Sequence, residues 1–232
     1  MKKGKYGLDA PAVVIGYFTS GILLSLIGYI YLPSESWMIY LGVLCLLIGF
    51  YMIYSSKIGK YKMREKIIQR LSITGEEISL DVGCGRGLML NGIASKLNSG
   101  KAYGVDIWNG KDQTGNNYGA LMQNAHIEGT ETKIEVINSD MRNLPFADDF
   151  FDIIVSSLAI HNLKNNQERK KALLEIARVA KNDCKLAILD IAHINFYKKI
   201  LTKQGFIIEY VDQRPFQIFP PCKVIYARKM ND

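Results

Sequence analysis

Two apolar runs near the start of this 232-residue chain, Pro11 to Ser34 and Ser36 to Ser56, are separated by a single charge, Glu35. At 24 and 21 residues, each is long enough for a helix rising about 1.5 Å per residue to cross a hydrocarbon layer of roughly 30 Å. Between them, Leu32-Pro33-Ser34-Glu35-Ser36 combines a proline, a charge and two hydroxyls. A break in backbone pairing is costly inside lipid, so this segment is expected to turn a helical hairpin at the far interface. Tyr29, Tyr31, Trp37 and Tyr54 fall near the expected helix ends, where amphipathic rings are favoured. Two other readings compete. A cleaved export signal has one apolar core of about 7 to 15 residues and a small-residue cut site, which fits two long consecutive runs poorly. Buried helices of a soluble core would need more covering surface than a domain of the remaining size offers.

Charge is distributed as unevenly as hydrophobicity. Lys2, Lys3 and Lys5 precede the first run, and Lys57, Lys60, Lys62, Arg64, Lys66 and Arg70 follow the second. Basic residues on both flanks place the N-terminus and the remainder of the chain on the cytoplasmic side of a membrane. The net charge of +7 belongs almost wholly to these flanks, leaving the region beyond residue 70 nearly neutral. That argues against a nucleic-acid groove and for anionic lipid headgroups as partners, with a merely solvated linker as the alternative. Cys45, Cys84, Cys184 and Cys222 are scattered without the CxxC spacing of a metal site, and no metal is expected. The expected division is a membrane anchor over 1–59 and a globular domain over 60–232.

Residues 60–72 mix charged and apolar positions, as a short amphipathic helix would. Beyond Thr74-Gly75, short apolar runs alternate with helix-compatible stretches, the pattern of a mostly parallel sheet covered on both faces. The runs predict strands over Ile78–Val82, Lys101–Asp106, Lys133–Asn138, Phe151–Ser156, Lys185–Asp190, Phe206–Val211 and Lys223–Ala227. Helices are expected over Gly87–Leu97, Asn116–His126, Gln167–Ala180 and Asn195–Lys203.

The stretch Ser79-Leu80-Asp81-Val82-Gly83-Cys84-Gly85-Arg86-Gly87-Leu88 leaves the first of these strands and enters the first helix. Glycines at this point let backbone approach a ligand and adopt torsions that other residues avoid. A dinucleotide fingerprint begun at Gly83 would end at Leu88, where no glycine stands, and the third glycine comes one residue early. With an acid two positions ahead of a G-x-G-x-G turn, the sequence resembles the class I S-adenosylmethionine-dependent methyltransferase family. That resemblance implies an α/β, Rossmann-like domain with a predominantly parallel seven-stranded sheet, here preceded by two transmembrane helices, and S-adenosylmethionine as cofactor.

It also implies roles. Asp81 would orient the methionine amino group of the cofactor, directly or through the turn or water, beside a wall formed by Gly83, Gly85 and Gly87. Asp106, ending Tyr103-Gly104-Val105-Asp106, would accept hydrogen bonds from the ribose hydroxyls, with Ile107 on the adenine side; Trp108 would either stack on the ligand or cover core. Asp140 would recognise the adenine amino group and Met141 would lie near the base, within Asn138-Ser139-Asp140-Met141-Arg142-Asn143-Leu144-Pro145-Phe146. For each acid the competing role is a structural cap. Phe151 to Asn162 and Glu175 to Lys181 continue the likeness, whereas Asn182-Asp183-Cys184 departs from the family's usual Pro-Gly-Gly turn.

The acceptor is less legible. A sulfonium methyl is already electrophilic, so the protein must chiefly align a nucleophile with it. His161, just after the fourth strand, is the candidate general base, with a satisfied structural histidine as the alternative. Ser156 and Ser157 could bind substrate or cap the loop. Cys84 is better explained by its small size at a tight turn than as a nucleophile. The Asn/Asp-Pro-Pro-aromatic signature of adenine-N6 methylation does not follow strand four. Loops over Trp108–Asn117 and Gln213–Pro221 would choose the substrate, the latter through Phe216, Ile218 and Phe219 if these are not core. The expectation is methyl transfer to a small lipophilic or membrane-associated acceptor; the alternative is a non-catalytic membrane module that binds an adenosine ligand or scaffolds partners.

Overall fold

The computed structural model describes residues 3–31, 36–108, 116–213 and 217–230. Lys2, residues 32–35 of the expected hairpin turn, residues 109–115 of the loop after Trp108, and Phe216 with its two predecessors lie outside the described residues. Two compact units are present: one comprises Met1–Tyr6, Met63–Phe216 and Pro220–Asp232, the other Gly7–Lys62 and Gln217–Phe219. Residues 3–6, which composition alone attaches to the hairpin, thus belong with the α/β unit.

In the hairpin unit, helix α1 (Pro11–Ile30) packs along helix α2 (Ser36–Tyr54). Pro11 opens α1, where its missing N–H costs nothing. Small residues let the two backbones approach. A Cβ on Gly42 would lie 2.7 Å from the Gly21 carbonyl oxygen and 2.9 Å from the Ser25 amide, and one on Gly28 or Gly49 would lie 3.0 Å from Ile39 or Phe18. Phe18 and Phe50 meet edge to face at 5.0 Å. The large side chains point the other way: Ile15, Ile22, Leu23, Leu26, Trp37, Tyr40, Leu44, Leu47 and Phe50 are exposed. Both helices are long and apolar enough to cross a membrane, yet only 17% and 22% of their most apolar stretches are buried. At the open end, the Lys60 ammonium meets the Gly7 carbonyl at 2.9 Å and the Asp9 carboxylate at 3.0 Å, and the Asp9 amide donates to the Ser56 hydroxyl.

Helix α3 (Lys60–Leu71) leads into the α/β unit. Its strands are β1 (Ile78–Val82), β2 (Lys101–Asp106), β3 (Ile134–Asn138), β4 (Phe151–Ser157), β5 (Ala180–Asp190), β6 (Phe206–Asp212) and β7 (Lys223–Lys229), and its helices α4 (Leu88–Ala94), α5 (Tyr118–Glu128), α6 (Asn166–Val179) and α7 (Ile194–Lys203). They form one sheet in the order β3-β2-β1-β4-β5-β7-β6, parallel except where β7 runs against both β5 and β6. The central strands carry unbroken apolar runs because both faces are covered: Leu80, Val82, Val105, Ile154 and Ile188 are wholly buried. Each such side chain contributes about 1.5–3 kcal/mol on leaving water.

The main departure from the expected elements is β5, which begins at Ala180, the last residue of the expected helix, rather than at Lys185. The chain passes through the segment as an irregular strand, with Asp183 at φ 63° and a shift of register against β4 between Phe151 and Ile153.

Candidate functional site

Parallel pairing brings the carboxyl ends of β1, β2, β3 and β4 to one edge, where open α/β sheets hold ligands. Val82 pairs with Val105 and Ser156, and Asp106 with Asn138. Beyond Val82 the chain turns through Gly83, Gly85 and Gly87, all at positive φ (76°, 52° and 83°). The Gly83 and Cys84 amides are tied to the Val105 carbonyl. A Cβ on Gly83 would collide with Ala159 and lie 3.5 Å from the Met141 methyl, so Met141 and the turn are neighbours.

Asp81 is buried within this edge. Its Oδ2 accepts the Leu90 amide at 2.9 Å, while Oδ1 is buried without a hydrogen-bond partner among the described residues. Burial, reinforced by Asp106 and opposed by the Leu90 hydrogen bond, pushes its pKa up to about 7. A carboxyl oxygen left unpaired in the interior is costly unless something polar completes it, and an ammonium group suits it.

Asp106 holds the turn as well as facing it. Its Oδ2 accepts the Gly85 amide at 2.8 Å and its Oδ1 the Trp108 amide at 2.6 Å. The Trp108 indole N–H reaches back to the Gly85 carbonyl at 3.3 Å and the ring stands edge-on to Tyr118. Trp108 therefore covers the turn. Ile107 is half exposed beside it. Asp140 is engaged by Arg142, whose backbone amide and guanidinium donate to it at 2.5–3.0 Å and whose side-chain hydrogen bonds hold its carboxyl below the usual range. Leu144 and Phe146 are fixed from helix α6: Glu175 accepts the Leu144 amide at 2.8 Å, and Arg178 donates to the Phe146 and Leu144 carbonyls at 2.8 and 3.1 Å. Two stretches that the sequence presents as separate likenesses thus form one brace. Cys84 is buried and its thiol pKa is raised by that burial, which keeps it protonated.

His161 follows β4 on a short 3-10 turn. Its Nδ1 lies 2.6 Å from Oδ1 of Asp190, the last residue of β5, although the approach is off the ideal hydrogen-bonding direction. Asp190 is buried; its Oδ2 accepts the His161 backbone amide and the Tyr197 hydroxyl, each at 3.1 Å, and its Oδ1 the Ile191 amide at 2.8 Å. Arg169 donates to the His161 carbonyl. Asp190 and Tyr197 have no place in the sequence expectations. The signal was available, since Asp190 ends an apolar run as Asp106 does. Ser156 is committed elsewhere, its hydroxyl donating to the Val82 carbonyl at 2.9 Å.

Residues 80–188 match the family model described as "Methyltransferase domain". Methyltransferase GfsG of Streptomyces halstedii is 31% identical over 56% of this chain and 43% of its own. Sterol 4-C-methyltransferase strm-1 of Caenorhabditis elegans is 30% identical over 57% and 36%, and a demethylmenaquinone methyltransferase of Lactobacillus johnsonii 27% over 55% and 49%. The chain thus spans about half, or less, of the length of these relatives. Among solved structures, a SAM-dependent methyltransferase from Aquifex aeolicus superposes with a TM-score of 0.57 at 23% identity over 71% of this chain and 88% of the other. The [4+2]-cyclase SpnF superposes at 0.62, with 16% identity over 74% and 82%. Those two likenesses speak for the fold alone. Fold and matched segment agree: the α/β unit has the class I S-adenosylmethionine-dependent methyltransferase fold, and its unpaired buried carboxylate suits an amino acid's ammonium.

Proposed function

We propose that this protein is a membrane-embedded enzyme that transfers the methyl group of S-adenosylmethionine to a lipophilic acceptor, with its N-terminus and methyltransferase domain on the cytoplasmic side. One observation carries the membrane part: the hairpin buries glycines and exposes its large apolar residues. A helix pair in water does the reverse, whereas in lipid close backbone approach drives association and the outer face needs no polarity. Relatives named for sterol and demethylmenaquinone substrates support a lipophilic acceptor.

In this reading Asp81 holds the cofactor's ammonium, Gly83, Gly85 and Gly87 give its backbone room, Asp106 takes the ribose hydroxyls with Ile107 against the adenine, and Asp140 with Met141 recognises the base. When bound, the cofactor supplies an electrophilic methyl on a sulfonium. His161 acts as general base. With Nδ1 turned toward Asp190, Nε2 is left to accept a proton from the acceptor, and Asp190 stabilises the imidazolium that results.

The test uses the full chain in nanodiscs with radiolabelled S-adenosylmethionine, membrane lipid extract and soluble extract. Label moving into the organic phase, with a product resolved by mass spectrometry, is the expected outcome. Label found only in soluble compounds or protein would overturn the acceptor class, and retention of cofactor without transfer to any fraction would favour a binding module. Release of the protein from membranes by alkaline carbonate would overturn the anchor.

A further inference from the structure

We infer that residues 3–6 are a strap that positions the cofactor turn, so that the methyltransferase domain is assembled from chain on both sides of the hairpin. This rests on the cofactor reading above. The Gly4 amide donates to Glu128 Oε1 at 2.9 Å and the Lys5 amide to Asn124 Oδ1 at 2.6 Å, seating the segment on helix α5. From there it grips the turn. The Lys5 carbonyl accepts the Arg86 guanidinium at 2.8 Å, Asn124 Nδ2 donates to the Arg86 carbonyl at 3.0 Å, and the Tyr6 hydroxyl stands 3.5 Å from the Gly87 carbonyl.

Tyr6 is the keystone. Only 2% exposed, it donates to Glu128 at 2.9 Å and accepts from Asn91 Nδ2 at 3.2 Å. Asn91 is itself fixed by Thr130, and Glu128 by both oxygens to Arg64 at 2.9 and 3.1 Å. The strap is closely fitted, since a Cβ on Gly4 would lie 2.9 Å from the Tyr6 ring, and a Cβ on Gly87 would lie 2.9 Å from Asn91 Nδ2. The Gly85–Gly87 arm is therefore restrained at Gly85 by Asp106 and at Arg86 by the strap, with the Tyr6 hydroxyl packed against Gly87. Such restraint lowers the cost of ordering the turn around a ligand.

A topological consequence follows. Tyr6 precedes α1 and Met63 follows α2, and both belong to one folded unit. In a bilayer this requires an even number of crossings, independently of the positive flanks.

The full chain in nanodiscs, as Tyr6→Phe and Gly4→Val, tests the strap by equilibrium dialysis of labelled S-adenosylmethionine and by amide hydrogen exchange. Tyr6→Phe is expected to raise Kd about three- to tenfold, the equivalent of one hydrogen bond, and Gly4→Val to raise it further. Exchange should quicken at Gly85 to Gly87 while β4 and β5 stay protected. Unchanged Kd and unchanged exchange at the turn in Tyr6→Phe would overturn the strap, as would exchange quickened uniformly through the sheet. If Gly4→Val does not fold, Tyr6→Phe decides alone. Should the wild-type chain retain no nucleoside, the cofactor reading fails, while exchange at the turn still reports on the strap.

Discussion

Asp81→Asn separates the cost of burying a carboxyl from the use made of it. The side chain is wholly enclosed, and its pKa rises from an ordinary 3.8 to about 7. At about 1.36 kcal/mol per unit, holding it ionised in the ligand-free fold costs at most about 4 kcal/mol. Asparagine removes that cost but sets an N–H donor where Oδ1 stood, a penalty of about 1–3 kcal/mol if unpaired. The ligand-free variant is therefore expected to be about 1–3 kcal/mol more stable than the wild type at pH 8, a rise of about 2–10 °C in Tm by scanning fluorimetry.

The sign with pH follows from proton binding. Between about pH 4 and pH 7 the native carboxyl keeps a proton that the unfolded chain has lost, so wild-type stability falls as pH rises through that window. The variant has nothing to titrate there, so its advantage should vanish by about pH 5. Ligand binding should move the other way. Exchanging a charged for a neutral partner of an ammonium is expected to raise Kd about 10- to 100-fold. In the wild type, affinity should fall about tenfold between its plateau above pH 7 and pH 6, because the cofactor selects the ionised carboxyl. Equal affinities in the two proteins, or a wild-type pH profile as flat as the variant's, would refute the assignment of Oδ1 to the ammonium.

Three other outcomes are expected. His161→Asn and Asp190→Asn should each lower kcat by about 10²- to 10⁴-fold with little change in cofactor affinity; undiminished kcat would make the pair structural. Gly42→Leu should prise α1 from α2 at a cost of about 1–3 kcal/mol and open the hairpin to protease in nanodiscs, with an undisturbed hairpin counting against the close approach at Gly21. Replacing neutral by anionic lipid should change activity by less than about threefold, since Arg64, Lys66 and Arg70 have protein partners; a large gain abolished by salt would put them on headgroups instead.

What the sequence made legible is what local pattern encodes. Strand ends show because an acid closes an apolar run, as at Asp81 and Asp106, and because glycine marks a turn that needs positive φ. The same rule applies to Asp190, but its meaning depends on His161, on the turn after a neighbouring strand 29 residues earlier, and no periodicity announces a side chain's partner. The strap is hidden more deeply. Lys3-Gly4-Lys5-Tyr6 has no repeat and the charge pattern of a membrane flank, while its partners Asn124 and Glu128 are more than 100 residues away. Trp108 was undecided in sequence because stacking on a ligand and covering a turn ask for the same ring.

The basic run after the hairpin shows what a count of charges leaves out. Six cations between Lys57 and Arg70 read as a surface for anionic lipid because sequence supplies their number and not their neighbours. In the fold, Arg64 is buried against Glu128, Lys66 pairs with buried Asp212, and Arg70 lies over the Tyr210 and Tyr226 rings at 4.2 and 4.9 Å. Lys60 closes on Asp9 in the hairpin unit. A guanidinium facing a buried carboxylate cannot be spared for a headgroup without leaving that carboxylate uncompensated, which costs several kcal/mol, more than the roughly 1 kcal/mol each cation gains at an anionic surface. Arg64, Lys66 and Arg70 are held by the protein's own acids and rings, Arg64 fastening α3 to the end of α5 and Lys66 and Arg70 fastening it to β6 and β7.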